Sequence, residues 1–115
     1  MLTLRTLTGD DAHAFQTLRI RALLDHPEAF GMDAETQQQK SLETVAQELA
    51  ASSKESYWLG AFDSELVGML MFARYRGSKL RHRAILGGMY VLPEARKQGI
   101  GKALLTETLG QAKRL

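Results

Sequence analysis

Apolar positions along this chain follow two rhythms, one helical and one extended, and the two alternate. Leu2, Leu4 and Leu7 open with extended character, predicting a short first strand. Phe15, Leu18, Ala22 and Leu23 then recur at helical spacing. Upstream of them, Thr8 and Asp11 stand at the spacing of a capping box, and Asp10 and Asp11 suit the positive end of a helix. Pro27 stops this first helix, because the residue before a proline avoids the helical region. His26 to Gln39 reads as a polar connection that includes Pro27, Phe30 and Gly31. Ser41 caps a second helix, whose apolar stripe is Leu42, Val45, Ala46 and Leu49.

After a polar loop at residues 52–55 the rhythm changes. Tyr57–Phe62 and Leu66–Ala73 are two apolar runs across the polar turn Asp63-Ser64-Glu65, which predicts a β-hairpin. Gly77-Ser78-Lys79 breaks the second run. Arg83–Leu92 forms a further strand, stopped by Pro93. The pair Gly87-Gly88 inside it predicts a bulge or a close backbone approach. Gly101–Leu115 closes the chain as a helix, with a stripe at Gly101, Leu104, Leu105, Thr108, Leu109 and Ala112. The order is β-α-α-β-β-β-α, an α/β (α+β) class with a mostly antiparallel mixed sheet flanked by helices.

Charge changes this picture more than composition does. The chain has 115 residues, 44% hydrophobic and 24% charged, which suits one globular domain with a real core. There is no cysteine, which excludes disulfides and thiolate metal sites and fits a reducing, cytoplasmic setting. No apolar run reaches the ~20 residues of a membrane span, and the first residues lack the form of a secretory signal. The net charge of +2 hides an asymmetry. Residues 1–65 carry 5 basic and 11 acidic side chains; residues 66–115 carry 10 basic and 2 acidic. A basic second half points to an anionic partner or to a solvated face.

Arg96-Lys97-Gln98-Gly99-Ile100-Gly101-Lys102 lies between a strand and an amphipathic helix. Glycines there let backbone N–H groups approach a ligand, and the first turn of a helix offers unpaired N–H groups and a positive dipole end. With Arg96, Lys97 and Lys102 nearby, this segment is an anion site that suits a pyrophosphate. It is not G-x-x-x-x-G-K-[ST], since Ala103 follows Lys102, and it is not G-x-G-x-x-G, since position 104 is Leu104.

Arg96-x-x-Gly99-x-Gly101 does resemble the [Arg/Gln]-x-x-Gly-x-[Gly/Ala] loop of the GNAT superfamily, the acyl-CoA-dependent N-acetyltransferases. The approach Met89–Arg96, the helix start Lys102-Ala103-Leu104-Leu105 and the element order share the resemblance along the whole chain. It implies an acyl-CoA N-acyltransferase-like fold over residues 1–115, a single domain that is incomplete at its C-terminus because the chain stops at Leu115 after the family's third helix. It implies acetyl-CoA as co-substrate, with no metal. The pyrophosphate would lie on Arg96, Lys97, Gln98, Gly99, Ile100, Gly101 and Lys102. The pantetheine arm would run along the backbone of Met89, Tyr90 and Val91, whose side chains read as plain core. One N–H of that strand would polarise the thioester carbonyl.

No catalytic side chain is assigned. Tyr57, Tyr75 and Tyr90 all precede the loop, so none matches the tyrosine acid of many family members. Gly87 and Gly88 occupy the neighbourhood of the family's strand-borne glutamate, and His82 reads as solvated between Arg81 and Arg83. Arg74, Arg76, Lys79, Arg81 and Arg83 read as an exposed turn rather than a nucleic-acid face. The acceptor implied is a small-molecule or peptide amine, with no membrane and no nucleic acid as partner. An exposed fourth strand predicts self-association, as a homodimer or another assembly. The competing readings are an inactive acyl-CoA-binding or partner-binding remnant, and a basic nucleic-acid-binding domain. A bulky residue at Gly99 should block the cofactor with little loss of fold.

Overall fold

The computed structural model describes residues 2–26, 34–74 and 84–113. Strand β1 is Thr3–Thr6; a 3-10 turn at Gly9–Asp11 leads into helix α1, Ala12–Asp25. Helices α2 (Ala34–Gln38) and α3 (Leu42–Ala50) follow, then strands β2 (Ser56–Asp63), β3 (Glu65–Arg74) and β4 (Ala84–Val91), a 3-10 turn at Pro93–Ala95 and helix α4 (Ile100–Lys113). The four strands form one antiparallel sheet in the order β1-β2-β3-β4.

The apolar runs of β2 and β3 are nearly continuous because both faces of the sheet are covered. Along β2, Trp58 and Phe62 pack against the layer of α1 and α3, while Tyr57, Leu59 and Ala61 face α4. On the first side the core is Leu7, Phe15, Leu18, Ala22, Val45, Leu49, Leu66, Met69 and Tyr90. On the other, Ile100 and Leu104 pack on Leu59, Leu70 and Phe72. Removing the Phe72 side chain from such a setting costs about 3–5 kcal/mol. No helix among the described residues is long and apolar enough to cross a membrane.

Several expectations hold in detail. Ser41 caps α3, its Oγ accepting from the Thr44 N–H at 3.1 Å. The hairpin turns through Ser64, at φ +67°. Helix α1 ends at Asp25 with His26 as its cap; Pro27 and Phe30 lie outside the described residues, as do Tyr75, His82 and the basic residues Arg76, Lys79, Arg81 and Arg83.

Other expectations need correction. The connection between α1 and α3 contains α2, which has no apolar stripe to announce it. A pair of buried amides holds it instead: Gln37 Nε2 donates to Gln16 Oε1 at 2.6 Å, and Gln16 Nε2 donates to the Gln37 carbonyl at 2.7 Å. In α3, Val45 and Leu49 are buried but Leu42 is 47% exposed. In α4 the buried line is Ile100, Leu104 and Thr108, four residues apart, while Leu109 points outward. The helix also begins one residue earlier than its stripe suggests, at Ile100.

Candidate active site

The end of β4 and the start of α4 build the site together. Tyr90 pairs with Met69 and Gly87 with Met71, so β4 carries one extra residue between them. This is the bulge that the glycine pair predicts, and Gly88 there has φ +59°. A side chain at Gly88 would also meet Trp58, whose ring atoms lie 2.5 and 2.9 Å from the position of a Cβ. Trp58 is held edge-on against Phe15, with ring centroids 4.9 Å apart, and the Arg19 guanidinium lies 5.3 Å from its ring. Glycine at 88 therefore serves both backbone conformation and close packing.

Beyond the bulge, Leu92 N–H donates to the Val67 carbonyl at 2.9 Å, and Pro93–Ala95 turns the chain toward α4. Two residues of the next segment have positive φ, Lys97 at +71° and Gly99 at +75°. The helical ladder starts with Ala103 N–H donating to the Gly99 carbonyl at 2.9 Å, so the N–H groups of Ile100, Gly101 and Lys102 precede it. Nothing stands within 4 Å of where a Cβ on Gly99 or Gly101 would be. The loop thus presents helix N–H groups beside open space, with cations on its flanks.

A cleft of about 390 Å³ lies against this loop. It is lined by Met89, Tyr90, Val91, Arg96, Lys97, Gly99, Ile100 and Gly101, with His26 from the end of α1. Eight of the ten residues expected to hold a cofactor therefore share one cleft. Gln98 does not line it, and Lys102 lines a neighbouring depression with Leu4, Gly99, Ala103, Thr106 and Glu107. The side chains of the strand segment are not plain core throughout: Tyr90 is buried at 3% exposure, but Met89 is 44% exposed because the bulge turns it outward. His26 has no signal in the sequence, since only the packing of α1 against β4 brings it to the cleft.

Hydrogen bonds organise the walls. Arg96 Nε donates to the Val91 carbonyl at 2.9 Å, and its guanidinium lies 5.5 Å from the centroid of the Tyr90 ring. The Tyr90 hydroxyl donates to Asp25 Oδ2. Burial, and then this bond, push the Tyr90 hydroxyl up to about 12, so it stays protonated at neutral pH. Arg21 pairs with Glu94 through two contacts of 3.1 Å on the surface.

The fold is shared with solved acetyltransferases. The PaiA N-acetyltransferase from Thermoplasma acidophilum, in complex with coenzyme A, is 23% identical with a TM-score of 0.77, covering 99% of this chain and 73% of that one. A GNAT-family acetyltransferase from Streptococcus pneumoniae is 20% identical with a TM-score of 0.73, covering 98% and 67%. One from Brucella melitensis, in complex with acetyl-CoA, is 22% identical with a TM-score of 0.69, covering 99% and 70%. This chain thus spans about two thirds to three quarters of the length of these structures. No curated protein matches it. The fold is the one that these acetyltransferase structures share. The model of the acetyltransferase (GNAT) family matches residues 17–115, and the chain belongs to that family.

Proposed function

We propose that this protein transfers an acetyl group from acetyl-CoA to an amine, with the cleft between β4 and α4 as the cofactor site. The observation that carries the reading is the convergence of the β4 backbone after the bulge, Ile100 and Gly101 ahead of the helical ladder, and the cations Arg96 and Lys97 on one open cleft. The residues fit a diphosphate: a Cβ on Gly99 or Gly101 would meet nothing within 4 Å, and the N–H groups of Ile100, Gly101 and Lys102 precede the ladder at the positive end of a 14-residue helix. Arg96 and Lys97 would hold the diphosphate from the cleft side and Lys102 from beside it, with Gln98 in the same turn. Met89, Tyr90 and Val91 would offer backbone groups to the pantetheine arm.

When bound, acetyl-CoA supplies an acyl group activated as a thioester. The chain's part is to orient that carbonyl on the β4 backbone, where a fixed N–H stabilises developing negative charge. A lysine-like acceptor amine, of pKa about 10.4, must lose a proton first. The CoA and acetyl-CoA complexes named for two of the similar structures support the choice of cofactor.

The reading carries residues 1–115 as one acetyltransferase domain, a cytoplasmic setting and an amine acceptor of small-molecule or peptide nature. It also carries self-association through β4, which is an edge strand among the described residues. Calorimetry with acetyl-CoA tests the cofactor site. Amine-dependent release of free CoA thiol across a broad amine panel tests the transfer. Binding without release would leave an acyl-CoA-binding protein; no binding by the folded chain would overturn the reading.

A further inference from the structure

Arg96 is a long side chain whose placement at the cleft depends on what lies under it. Its Nε bond to the Val91 carbonyl fixes one end, and the Tyr90 ring supports the guanidinium. Tyr90 is itself buried, and its hydroxyl reaches out of β4 to the carboxylate of Asp25, the last residue of α1. The His26 ring stands at 64° to the Tyr90 ring, 6.2 Å between centroids. One turn earlier on α1, Arg21 holds Glu94, two residues before Arg96. Helix α1 thus grips the 90–96 segment at two points. The Arg21–Glu94 pair is solvent-exposed and worth little. The Tyr90–Asp25 bond is part-buried and joins a hydroxyl to a carboxylate, the stronger kind of contact.

We propose that Asp25 is a positioning residue of the cofactor cleft: through the Tyr90 hydroxyl it fixes the ring that supports Arg96, and so holds the guanidinium where a diphosphate would meet it. The inference rests on the cofactor reading above and adds to it a helix from outside the loop. Its physical basis is preorganisation. A long arginine side chain loses rotamer freedom when it binds, and a fixed aromatic platform takes up part of that loss before the ligand arrives. Loss of the Tyr90 hydroxyl leaves the ring in place but no longer anchored.

The test measures CoA affinity by calorimetry and fold stability by thermal melting for R96A, Y90F, D25A, D25N and the double variant Y90F/R96A. Y90F and D25A should each weaken CoA binding about 3- to 10-fold, the range of one lost hydrogen bond. D25N should recover most of what D25A loses, because its amide oxygen still accepts from the hydroxyl. Y90F/R96A should bind no more weakly than R96A alone, since both act through the same guanidinium. A bond that only braces α1 against β4 would lower the melting temperature and leave affinity untouched. Wild-type affinity in Y90F, a D25N as weak as D25A, or a double variant that loses the full product of the two singles would each overturn the proposal. R96A binding CoA like the wild type would overturn it too, whereas a folded wild-type chain that binds no CoA would overturn the cofactor reading itself. Should Y90F fail to fold, the contrast of D25A with D25N decides with the tyrosine intact.

Discussion

Two glycines near the cleft look alike in the sequence and are constrained in different ways. Gly88 is enclosed by Trp58 and has positive φ, whereas Gly99 has positive φ but open space around it. The expectation that Gly99 could be replaced with little loss of fold is therefore corrected. Gly99→Ala meets no atom of the protein, yet an L-residue at φ +75° costs about 1–2 kcal/mol. It should show a lower melting temperature together with weaker CoA binding, and a melt that matches the wild type would contradict the backbone argument. Asp11 gives a residue-level effect far from the cleft. Arg5 donates to both of its carboxylate oxygens at 2.8 Å, and the Thr8 N–H donates at 2.7 Å. The Arg5 bond, followed by the other contacts, holds the Asp11 carboxyl down to about 2 against burial. A carboxyl depressed in the folded state stabilises above its unfolded pKa of about 4, and that contribution fades as pH falls toward 2. With Arg5 half-exposed, the screened effect is about 1 kcal/mol. D11N should be less stable than the wild type at pH 7 by that amount, and the gap should close near pH 2 in urea titrations.

At the scale of elements, what the sequence shows depends on whether an element is held by apolar burial. The stripe Phe15, Leu18, Ala22 and Leu23 predicts α1 and is buried throughout. The runs in β2 and β3 are equally legible, because two covered faces require two apolar sides. The bulge in β4 is legible from Gly87-Gly88, since a strand that needs positive φ must place glycine there. Helix α2 is not legible. It is fixed by Gln16 and Gln37, polar residues 21 positions apart whose pairing no local pattern announces. The site divides the same way. Arg96, Gly99 and Gly101 sit in one segment and are visible as a motif, while His26 and Asp25 reach it only through the packing of α1 on β4. The amide pair makes a prediction of its own. Gln16→Ala leaves the Gln37 amide and the Gln37 carbonyl without the partner each now has, which should cost about 1–3 kcal/mol. Denaturant unfolding of Q16A should show this loss, and a double variant Q16A/Q37A should lose less than the sum of the two singles.

At the scale of the molecule, the basic second half resolves into parts with different surroundings. Arg96, Lys97 and Lys102 surround the start of α4, whereas four of the five turn cations lie outside the described residues. The same half also contains β4, which pairs with β3 on one side and is an edge strand of the described sheet. Its sequence, from Ala84 to Val91, has no charge and no proline, two of the devices that keep an edge from pairing with another chain; a third, the bulge at Gly88, protects only the later part of the strand. Ile85 and Leu86, on opposite faces, are 39% and 38% exposed. Backbone pairing and apolar contact therefore favour the same event, the meeting of two β4 edges across a two-fold axis through residues 84–87, before the bulge and clear of Met89–Val91. Light scattering should show a mass that rises toward a dimer with concentration. Ile85→Lys, which places a charge on the edge without touching the cleft, should shift the protein toward the monomer and leave CoA affinity unchanged. A wild-type chain that stays monomeric at high concentration would show that the edge is not used in this way.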